Sequence, residues 1–474
     1  MRRWPALLVL VVALGGLVAA SATRDPRPRP SFGRAAGPAM PLVAAAGARS
    51  STWFCAAGAA QEGADLDLTV TVANATEEPR RARITWYPQA GDPATREVAV
   101  PASDAVTVAA TSVLRSPTAS ALVEVDGGGV AVEHTVSGPV GNATAPCASE
   151  TSSTWYLPVG VTERDARETL VLFNPFPADA VVDLHFDTES GKVNPPDGQG
   201  LPVPARSAVQ VQVTDLVRRR AVVAAEVVAR AGQVVVDRVQ LFDGSLGRRG
   251  VALNVGAPRG ALRWEFPDGL STPPSVTTSW HVYNPAEEDA EITLTVDPVS
   301  GEPPPPVDLT VPARSQLTIS TDDAGVATAV AHSSTIESKN GVRIVAERVV
   351  DVRTANGRVG WSSMLGAPAT ATQWLLPSGA ATSNTDEWLV LRNPGTKDVM
   401  VSVVALARGV RLPVEGLQDV QVPAGGRVAI RLGDHIERTP LPLLVTATGR
   451  VVVERDLYGV GRVGVSTVIG LPFA

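Results

Sequence analysis

The stretch Trp155-Tyr156-Leu157-Pro158-Val159-Gly160 decides how this chain folds, because its pattern returns at a regular interval. A Trp followed by Gly five positions later recurs at roughly 105-residue steps, and self-similarity at a fixed period is the sequence signature of repeat architectures. The copies open at Trp53, Trp155, Trp264 and Trp374. The sequence therefore predicts four copies of one unit.

Three further landmarks keep the same phase as the tryptophans. A strand-like run ends in Asn at Asn74, Asn174, Asn284 and Asn393. Each copy then carries Val-Pro-Ala, starting at Val100, Val203, Val311 and Val422. Late in each copy an acid precedes a base: Glu133-His134, Asp237-Arg238, Glu347-Arg348 and Glu454-Arg455. Four landmarks that recur four times in one order favour a repeated fold over a repeated chemistry.

Within one copy the local pattern is that of β-strands. The second copy holds short Val-rich runs bounded by Asn-Pro, Gly or Asp, a composition typical of strands. With the opening strand and the closing run 251–255 this makes about seven strands, the number expected of an immunoglobulin-like β-sandwich. The alternative is a propeller-like closed ring in which each copy forms two four-stranded blades. The motifs do not recur at half the period, which favours sandwiches.

The first residues have the layout of an export signal. Arg2 and Arg3 precede an apolar run over 4–20 and the small-residue triplet Ala20-Ser21-Ala22, as in a cleavable secretory signal. The run is at the short end of what spans a bilayer, so an uncleaved membrane anchor is the alternative. Either way the remaining chain is expected outside the membrane, secreted or anchored to the plasma membrane only through this segment.

These observations define a domain organisation. The prediction is a signal peptide or membrane anchor over 1–22, a Pro/Ala-rich linker over 23–51, and four sandwich units over 52–150, 151–261, 262–371 and 372–474. A chain of 474 residues is too long for one hydrophobic core. The net charge of −7 argues against a nucleic-acid partner, because such domains concentrate Lys and Arg on one face.

The two cysteines carry the sharpest chemical prediction. Cys55 takes the place of Leu157 in the opening motif, so its side chain is expected to point inward, and Cys147 lies where later copies close. A cysteine pair in an exported chain favours a disulfide, here from the first strand of the first unit to its end. Two buried free thiols are the alternative.

The recurring residues are interpreted as structural. The opening Trp suits a sandwich core, with an exposed glycan-binding surface as the alternative. The Asn is expected to be a turn residue, and Val-Pro-Ala an edge strand entering a turn. Neighbours on a strand point to opposite faces, so the acid and the base of each dipeptide cannot share one core; an ion pair with the adjacent unit or with a loop is expected.

No motif of catalysis or of metal binding stands out. The sequence has no nucleophile elbow, no phosphate-binding Gly-rich loop, and five histidines without ligand spacing. The prediction is a protein without enzymatic activity, metal or cofactor. A glycosidase carboxylate pair assembled from distant loops stays open as an alternative.

The Trp-x-x-Pro-x-Gly opening, the Asn-Pro strand end, the Val-Pro-Ala turn and the terminal stretch 452–455 resemble a family of exported actinobacterial proteins classed as a domain of unknown function. They are also similar to tandem modules of bacterial surface and cell-wall proteins. The resemblance covers essentially the whole mature chain. Such proteins are often encoded near envelope-glycan glycosyltransferases, so the resemblance implies an envelope setting without a specific activity. The first copy departs most, with Cys55 and Ala56 at the usual apolar residue and Pro.

Three functions are therefore open, and for each the oligomeric state is undetermined. The first is a non-catalytic cell-envelope scaffold or interaction module with envelope proteins as partners. The second is binding of cell-wall glycan or polysaccharide, which would use aromatics outside the opening position: Trp86, Tyr87, Trp361 and Trp388. The third is an enzyme, or an accessory protein to an envelope glycosyltransferase.

Overall fold

The computed structural model describes residues 39–61, 66–355 and 357–474 of the chain. The predicted signal or anchor segment and the linker as far as residue 38 lie outside the described residues. Within the described residues the chain is nearly all β, in separate antiparallel sheets. None of these residues belongs to a helix with the length and apolar character needed to cross a membrane.

The first eight strands form two sheets, together called sandwich 1. The strand orders are β1-β6-β3-β4 and β5-β2-β7-β8. The elements are β1 Ser51–Cys55, β2 Asp67–Asn74, β3 Arg80–Pro88, β4 Ala94–Val100, β5 Asp104–Ala109, a 3-10 turn Ala110–Ser112, β6 Ala119–Val125, β7 Val130–Gly138 and β8 Gly141–Pro146.

Sandwich 2 follows with the same arrangement. Its orders are β12-β11-β15-β9, with β13 also on β11, and β14-β10-β16-β17. The elements are β9 Thr154–Leu157, β10 Ala166–Asn174, β11 Ala180–Thr188, β12 Gly191–Val193, a 3-10 turn Pro196–Gly198, β13 Leu201–Val203, β14 Ser207–Gln212, helix α1 Val213–Leu216, β15 Val223–Ala231, β16 Val235–Asp243 and β17 Arg249–Val255.

Sandwich 3 has the orders β18-β23-β20-β21 and β22-β19-β24-β25. The elements are β18 Arg263–Phe266, β19 Val276–Asn284, β20 Ala290–Pro298, β21 Val307–Val311, β22 Ser315–Ser320, β23 His332–Ser338, β24 Val345–Ala355 and β25 Arg358–Leu365.

Sandwich 4 differs in one respect: a single long strand, β32, takes part in both sheets. Its start pairs with β28 and its end with β27. The elements are β26 Ala371–Leu376, β27 Thr385–Arg392, β28 Val399–Ala407, β29 Val410–Pro413, β30 Val420–Val422, β31 Arg427–Arg431, a 3-10 turn Leu432–Asp434, β32 Leu443–Gly459, β33 Val465–Ile469 and β34 Leu471–Pro472.

The prediction of an all-β chain built of sandwiches is confirmed. The strands of the two sheets are interleaved along the chain, so a copy is not two successive propeller blades. The connectivity differs from an immunoglobulin domain, in which the first two strands share a sheet; here β1 and β2 lie in different sheets. Sandwich 1 has eight strands, one more than the sequence pattern suggested for a copy.

The opening tryptophans lie in the cores of their sandwiches. All four are buried, and the indole Nε1 of Trp155 and of Trp264 donates to a backbone carbonyl at 2.8 Å in each case. Trp374 donates to the carbonyl of Val451 at 3.1 Å. The Nε1 group of Trp53 is buried without an acceptor among the described residues. All four side chains lie in sandwich cores, so these residues offer no exposed glycan-binding surface.

The four sandwiches close into a ring, because their last strands meet around a common axis. The strands β8, β17, β25 and β33 each contact the next, and β33 contacts β8. Thr144 N–H donates to Ser466 Oγ at 3.1 Å, joining sandwiches 1 and 4, and Thr467 N–H donates to Ser362 Oγ at 3.0 Å, joining sandwiches 4 and 3. The proposed alternative of a closed ring is thus found, with sandwiches in place of blades.

Glycine permits this close approach at the start of the last strands of sandwiches 1, 2 and 3. A Cβ on Gly250 would lie 2.9 Å from Trp361 N, and one on Gly360 would lie 2.7 Å from Val465 N. Real Cβ atoms almost never approach backbone this closely. Gly141 and Gly464 hold the corresponding positions, so this is a further four-fold landmark that the sequence analysis missed.

Residues 39–43 belong to the ring, although the sequence analysis assigned them to a linker. Ala39 and Val43 are buried. Val43 pairs in parallel with Phe473, donating to Pro472 O at 2.9 Å and accepting from Ala474 N–H at 3.0 Å. This segment therefore joins the start of the described chain to its last strand.

Candidate functional site

The acid–base dipeptides meet across the four interfaces between sandwiches. Each base pairs with the acid of the next sandwich, and the fourth base pairs with the acid of the first. The pairs are His134–Asp237 at 3.0 Å, Arg238–Glu347, Arg348–Glu454 and Arg455–Glu133 at 3.0 Å. All eight side chains are buried. The ring is thus closed by four buried pairs in cyclic order.

The strand alternation explains how adjacent residues reach different neighbours. In the pairing of β10 with β16, Leu170 lies opposite Arg238 and the next residue, Val171, opposite Asp237. Arg238 therefore shares a face with the core residue Leu170, while Asp237 points to the other face. The acid of each sandwich therefore reaches into the preceding sandwich. The base stays within its own sandwich, where it pairs with the acid of the following one.

The opening motif completes each pair with a backbone donor. Asp237 Oδ2 accepts from the N–H groups of Ala56 and Ala57, both at 2.8 Å. Ser378 N–H donates to Glu133 at 3.0 Å, and Asp268 N–H donates to Glu454 at 3.1 Å. A buried carboxylate needs such partners because its uncompensated charge costs several kcal/mol. These four dipeptides are structural.

The predicted disulfide is present between Cys55 and Cys147, with a Cα–Cα distance of 4.6 Å. It joins β1 to the segment that follows β8. His134 Nδ1 lies 3.4 Å from Cys147 Sγ, and its Nε2 faces Asp237. The imidazole at the interface of sandwiches 1 and 2 therefore packs directly against the disulfide.

The recurring Asn joins two of the sequence landmarks. In sandwich 2, the Asn174 Nδ2 group donates to Val203 O at 3.0 Å and to Pro204 O at 3.2 Å, the carbonyls of the Val-Pro-Ala segment. Its Oδ1 accepts from Phe176 N–H at 3.0 Å. Asn74, Asn284 and Asn393 make the corresponding bonds and are also buried. This side chain holds a turn and is not available to a ligand.

Two buried carboxyl groups escaped the sequence analysis. Glu168 and Glu387 occupy one position in β10 and β27, where β2 has Leu68. Burial raises the pKa of each to about 8, against the opposing effect of Arg238 on Glu168 and of Arg455 on Glu387. Both are therefore protonated near neutral pH.

The motif glycine makes room for these side chains. A Cβ on Gly160 would lie 2.2 Å from Glu168 Oε1, and one on Gly379 would lie 2.6 Å from Glu387 Oε1. In sandwich 1, a Cβ on Gly58 would lie 2.5 Å from Leu68 Cβ. In sandwiches 1, 2 and 4 the glycine of the Trp-x4-Gly spacing therefore makes room for a side chain of the second strand, whereas Gly269 of sandwich 3 packs against His332.

An open cleft of about 540 Å³ lies between sandwiches 2 and 3, and we take it as the candidate functional site. It combines aromatic side chains with acidic and basic ones, so it offers a ligand both apolar surface and hydrogen-bonding groups. Its lining is Thr154, Tyr156, His185, Phe186, Asp187, Lys192, Asn194, Glu226, Val228, Tyr283, Pro285 and Arg314.

Glu226 is the centre of the polar groups in the cleft. It accepts from Arg314 Nη1 at 2.8 and 3.0 Å and from the Tyr283 hydroxyl at 3.2 Å. Burial, with Glu226 nearby, raises the pKa of Tyr156 to about 12 and raises that of Tyr283 further. Both phenols therefore stay protonated and can donate hydrogen bonds at physiological pH.

The other polar groups are also held by neighbours. Asp187 accepts from Gln316 N–H at 2.7 Å, and burial raises the pKa of its carboxyl. Lys192 Nζ donates to Ala313 O at 3.2 Å. His185 Nδ1 lies 2.9 Å from Asn194 Oδ1. The cleft thus presents preformed hydrogen-bonding groups from both sandwiches.

The corresponding positions at the other interfaces carry different side chains. Tyr156 and Glu226 are opposite each other in their sheet. The same positions hold Phe54 and Leu122 in sandwich 1, Glu265 and Thr335 in sandwich 3, and Leu375 and Leu444 in sandwich 4. In sandwich 3 the acid, Glu265, accepts a hydrogen bond from Thr335 Oγ1 at 2.9 Å and forms an ion pair with Arg392 at 3.8 Å.

The aromatic residues on which the glycan-binding hypothesis relied are not in this cleft. Trp86, Tyr87 and Trp361 are buried, and Trp388 is half-buried. The aromatic pair that does line a cleft is Tyr156 and Tyr283, with ring centroids 6.0 Å apart. The signal in the sequence was the second position of the opening motif, which is Tyr only in the second copy.

The fold and the interfaces define a class: a closed ring of four all-β sandwiches joined by buried acid–base pairs. The chain belongs to a family of unknown function (DUF5719), whose model matches residues 128–364, half of the chain. The matched range includes every residue that lines the cleft. None of the curated proteins matches the chain.

Several solved structures are similar over parts of the chain. Thermotoga maritima 1070 is 20% identical over 23% of this chain and 93% of its own, with a TM-score of 0.21. The Anabaena sensory rhodopsin transducer is 28% identical over 18% of this chain and 93% of its own, with a TM-score of 0.17. A tetra-tandem repeat of a large adhesion protein is 11% identical over 89% of this chain and 99% of its own, with a TM-score of 0.11. Likenesses at these TM-scores carry no argument about function.

Proposed function

We propose that this protein is a non-catalytic scaffold or interaction module of the bacterial cell envelope, located outside the cytoplasmic membrane. The observation that carries the proposal is the use made of the recurring charged residues. All eight are buried in pairs that join the sandwiches, so they stabilise a ring instead of serving chemistry. A rigid ring suits a protein that positions partners.

The proposed location rests on two features of the chain. The N-terminal Arg-Arg pair followed by an apolar run is typical of a segment that directs export or anchors the chain. The disulfide between Cys55 and Cys147 is typical of oxidising compartments. Both are as expected for the exported actinobacterial proteins that the motifs resemble.

An enzyme is the second candidate because two carboxylates, Asp187 and Glu226, line one cleft. Paired carboxylates are the catalytic groups of most glycosidases. Against this, Glu226 is held by Arg314 and Tyr283, and Asp187 by Gln316. The third candidate, an accessory role beside a glycosyltransferase, is a special case of the interaction module.

The location is tested in intact cells of the native host that carry the full chain with a C-terminal tag. We expect externally added protease to remove the tag, and the protein to fractionate with the membrane or the medium. A tag that is protected until the cells are lysed would overturn the proposal.

The absence of catalysis is tested with the purified protein and a panel of chromogenic glycosides. We expect no turnover that depends on the cleft. Hydrolysis that is lost in Asp187→Asn or in Glu226→Gln, but kept in Glu97→Gln at an exposed position of sandwich 1, would establish the enzyme instead.

A further inference from the structure

We propose that the cleft between sandwiches 2 and 3 binds a neutral saccharide unit, with Tyr156 as the aromatic platform. The inference deepens the proposed function, on which it rests, by naming the ligand class of the interaction module. The residues that carry it are Tyr156, Asp187, Lys192, Glu226 and Arg314.

The size of the cleft suits a small ligand. Its volume of about 540 Å³ falls within the range of ~300–1,000 Å³ that is typical of ligand sites. The walls come from two sandwiches that are fixed to each other by the buried Arg238–Glu347 pair. Rigid walls lower the entropic cost of binding.

The charges in the cleft balance one another. Asp187 and Glu226 are acidic, and Lys192 and Arg314 are basic. An ion of either sign therefore gains little net attraction. A hydroxyl group both donates and accepts hydrogen bonds, so it can use a carboxylate oxygen and a guanidinium or ammonium group at the same time. A neutral ligand rich in hydroxyl groups matches this arrangement best.

The aromatic side chain supplies the apolar part of such a site. Tyr156 is half-buried and borders the cleft, next to Tyr283 and Pro285. A tyrosine presents an apolar ring together with a polar hydroxyl. The C–H face of a sugar ring can pack on the tyrosine ring while the hydroxyls of the sugar bond the tyrosine hydroxyl.

The ring does not need these polar groups to hold together. At the corresponding positions sandwich 1 uses Phe54 and Leu122, and sandwich 4 uses Leu375 and Leu444. Burying polar groups costs free energy unless each is paired. Sandwich 3 also has polar residues at these positions, but Glu265 and Thr335 bond each other. A polar cluster that borders an open cleft, at positions where two of the other sandwiches use apolar residues, points to a ligand.

The lysine content of the chain offers a direct test. Lys192, Lys339 and Lys397 are the only lysines, all three are exposed, and only Lys192 lines the cleft. Acetylation of the full-length protein is followed at each lysine by mass spectrometry. The probes are N-acetylglucosamine, galactose, arabinose and mannose disaccharides, with inorganic phosphate as the anionic probe.

We expect at least one neutral disaccharide to slow acetylation of Lys192 several-fold while Lys339 and Lys397 react unchanged. Tyr156→Ala should abolish this protection and Tyr156→Phe should keep most of it. Glu97→Gln, an exposed change in sandwich 1, should leave it intact. Thermal unfolding of each variant verifies that the ring is folded.

Two results would overturn the inference. If no disaccharide protects Lys192, or if phosphate alone does, the cleft is not a neutral saccharide site. The proposed envelope function stands in both cases, because its test is the location of the tagged chain. A protected cytoplasmic tag would instead remove the proposed function whatever Lys192 shows.

Discussion

The interface between sandwiches 1 and 2 and the interface between sandwiches 2 and 3 share one arrangement of a buried acid and base. The side chains around that pair are apolar at the first interface and polar at the second. In both, the acid of the later sandwich enters the earlier one and meets its base. The first uses His134 and Asp237 beside a disulfide, and the second uses Arg238 and Glu347. The comparison separates what closes the ring from what is free to vary.

The side chains around the first acid–base pair are mainly apolar, and those around the second are polar. At the first interface the Tyr87 and Phe173 rings pack with centroids 5.2 Å apart, and Phe54 lies against the same core. At the second interface Tyr283 replaces Phe173 and bonds Glu226, which leaves an open cleft. The acid–base pair is common to both, so closure of the ring does not depend on an apolar or a polar surround.

The bases differ in the number of hydrogen bonds that they can donate. A guanidinium has five N–H donors in a planar fork, whereas an imidazole has at most two. Arg238 also donates to Asn254 Oδ1 at 2.8 Å and to Ser363 Oγ at 2.7 Å, so it binds the last strands of two sandwiches. His134 has a disulfide beside it instead. Sandwich 1 therefore depends on a covalent link where sandwich 2 depends on a network of hydrogen bonds.

The largest effect is expected from removing the covalent link. The disulfide closes a sequence separation of 92 residues, and the chain-entropy estimate for such a loop is about 4 kcal/mol. We expect Cys55→Ser with Cys147→Ser to lower the free energy of unfolding by this order, measured by urea titration. The untouched chain under reducing conditions is the control and should shift in the same direction. Equal midpoints for all samples would show that the link does not contribute.

Breaking the charged pair at the second interface is expected to cost a comparable amount of stability. Arg238→Met leaves Glu347 buried beside Glu168, and loss of one partner of a buried pair costs about 3–5 kcal/mol. His134→Gln at the first interface keeps a donor toward Asp237, so we expect a smaller loss of about 1 kcal/mol. Urea titration of the two variants checks the order.

A double variant sharpens this prediction. Arg238→Met with Glu347→Gln removes the uncompensated carboxylate, so part of the stability should return. If the double variant is no more stable than Arg238→Met, the loss comes from the missing bonds to Asn254 and Ser363 and not from the buried charge.

These interfaces also show what a sequence can predict. The opening Trp, the strand periodicity and the Cys pair are local patterns, and each indicated its place correctly. The partner of Glu133 is Arg455, 322 residues away, and no local pattern identifies that contact. The acid–base landmark predicted an ion pair with a neighbour, but only the three-dimensional arrangement shows that the fourth sandwich returns to the first. The cleft was missed for the same reason, since Tyr156 and Tyr283 belong to different copies.

Glu168 in sandwich 2 and Glu387 in sandwich 4 each predict a pH dependence of stability. The pKa of Glu168 and of Glu387 is about 8 in the folded chain, against an ordinary value of 4.5. Between these values the folded chain holds protons that the unfolded chain has lost, so stability falls as the pH rises from about 4.5 to 8 and is level above. Leu68 at the same position removes this dependence from sandwich 1.

We expect Glu168→Gln to be more stable than the natural chain at pH 8.5 by several kcal/mol, since one pKa unit corresponds to about 1.4 kcal/mol. At pH 5 the two should be nearly equal. Urea titrations from pH 5 to 9 measure the difference, with the exposed change Glu97→Gln as the control. A gain that does not grow with pH would mean that Glu168 is ionised throughout.

The smallest effect is expected from making the second interface resemble the first. Tyr283→Phe installs the ring of Phe173 and removes the hydroxyl that donates to Glu226 at 3.2 Å. A bond of this kind contributes about 1 kcal/mol net, and Arg314 still holds the carboxylate. A double-mutant cycle with Glu226→Gln isolates the term. A coupling energy near zero would mean that the Tyr283 hydroxyl does not stabilise the fold through Glu226, which Arg314 alone then holds. The hydroxyl would in that case be free to bond a ligand in the cleft.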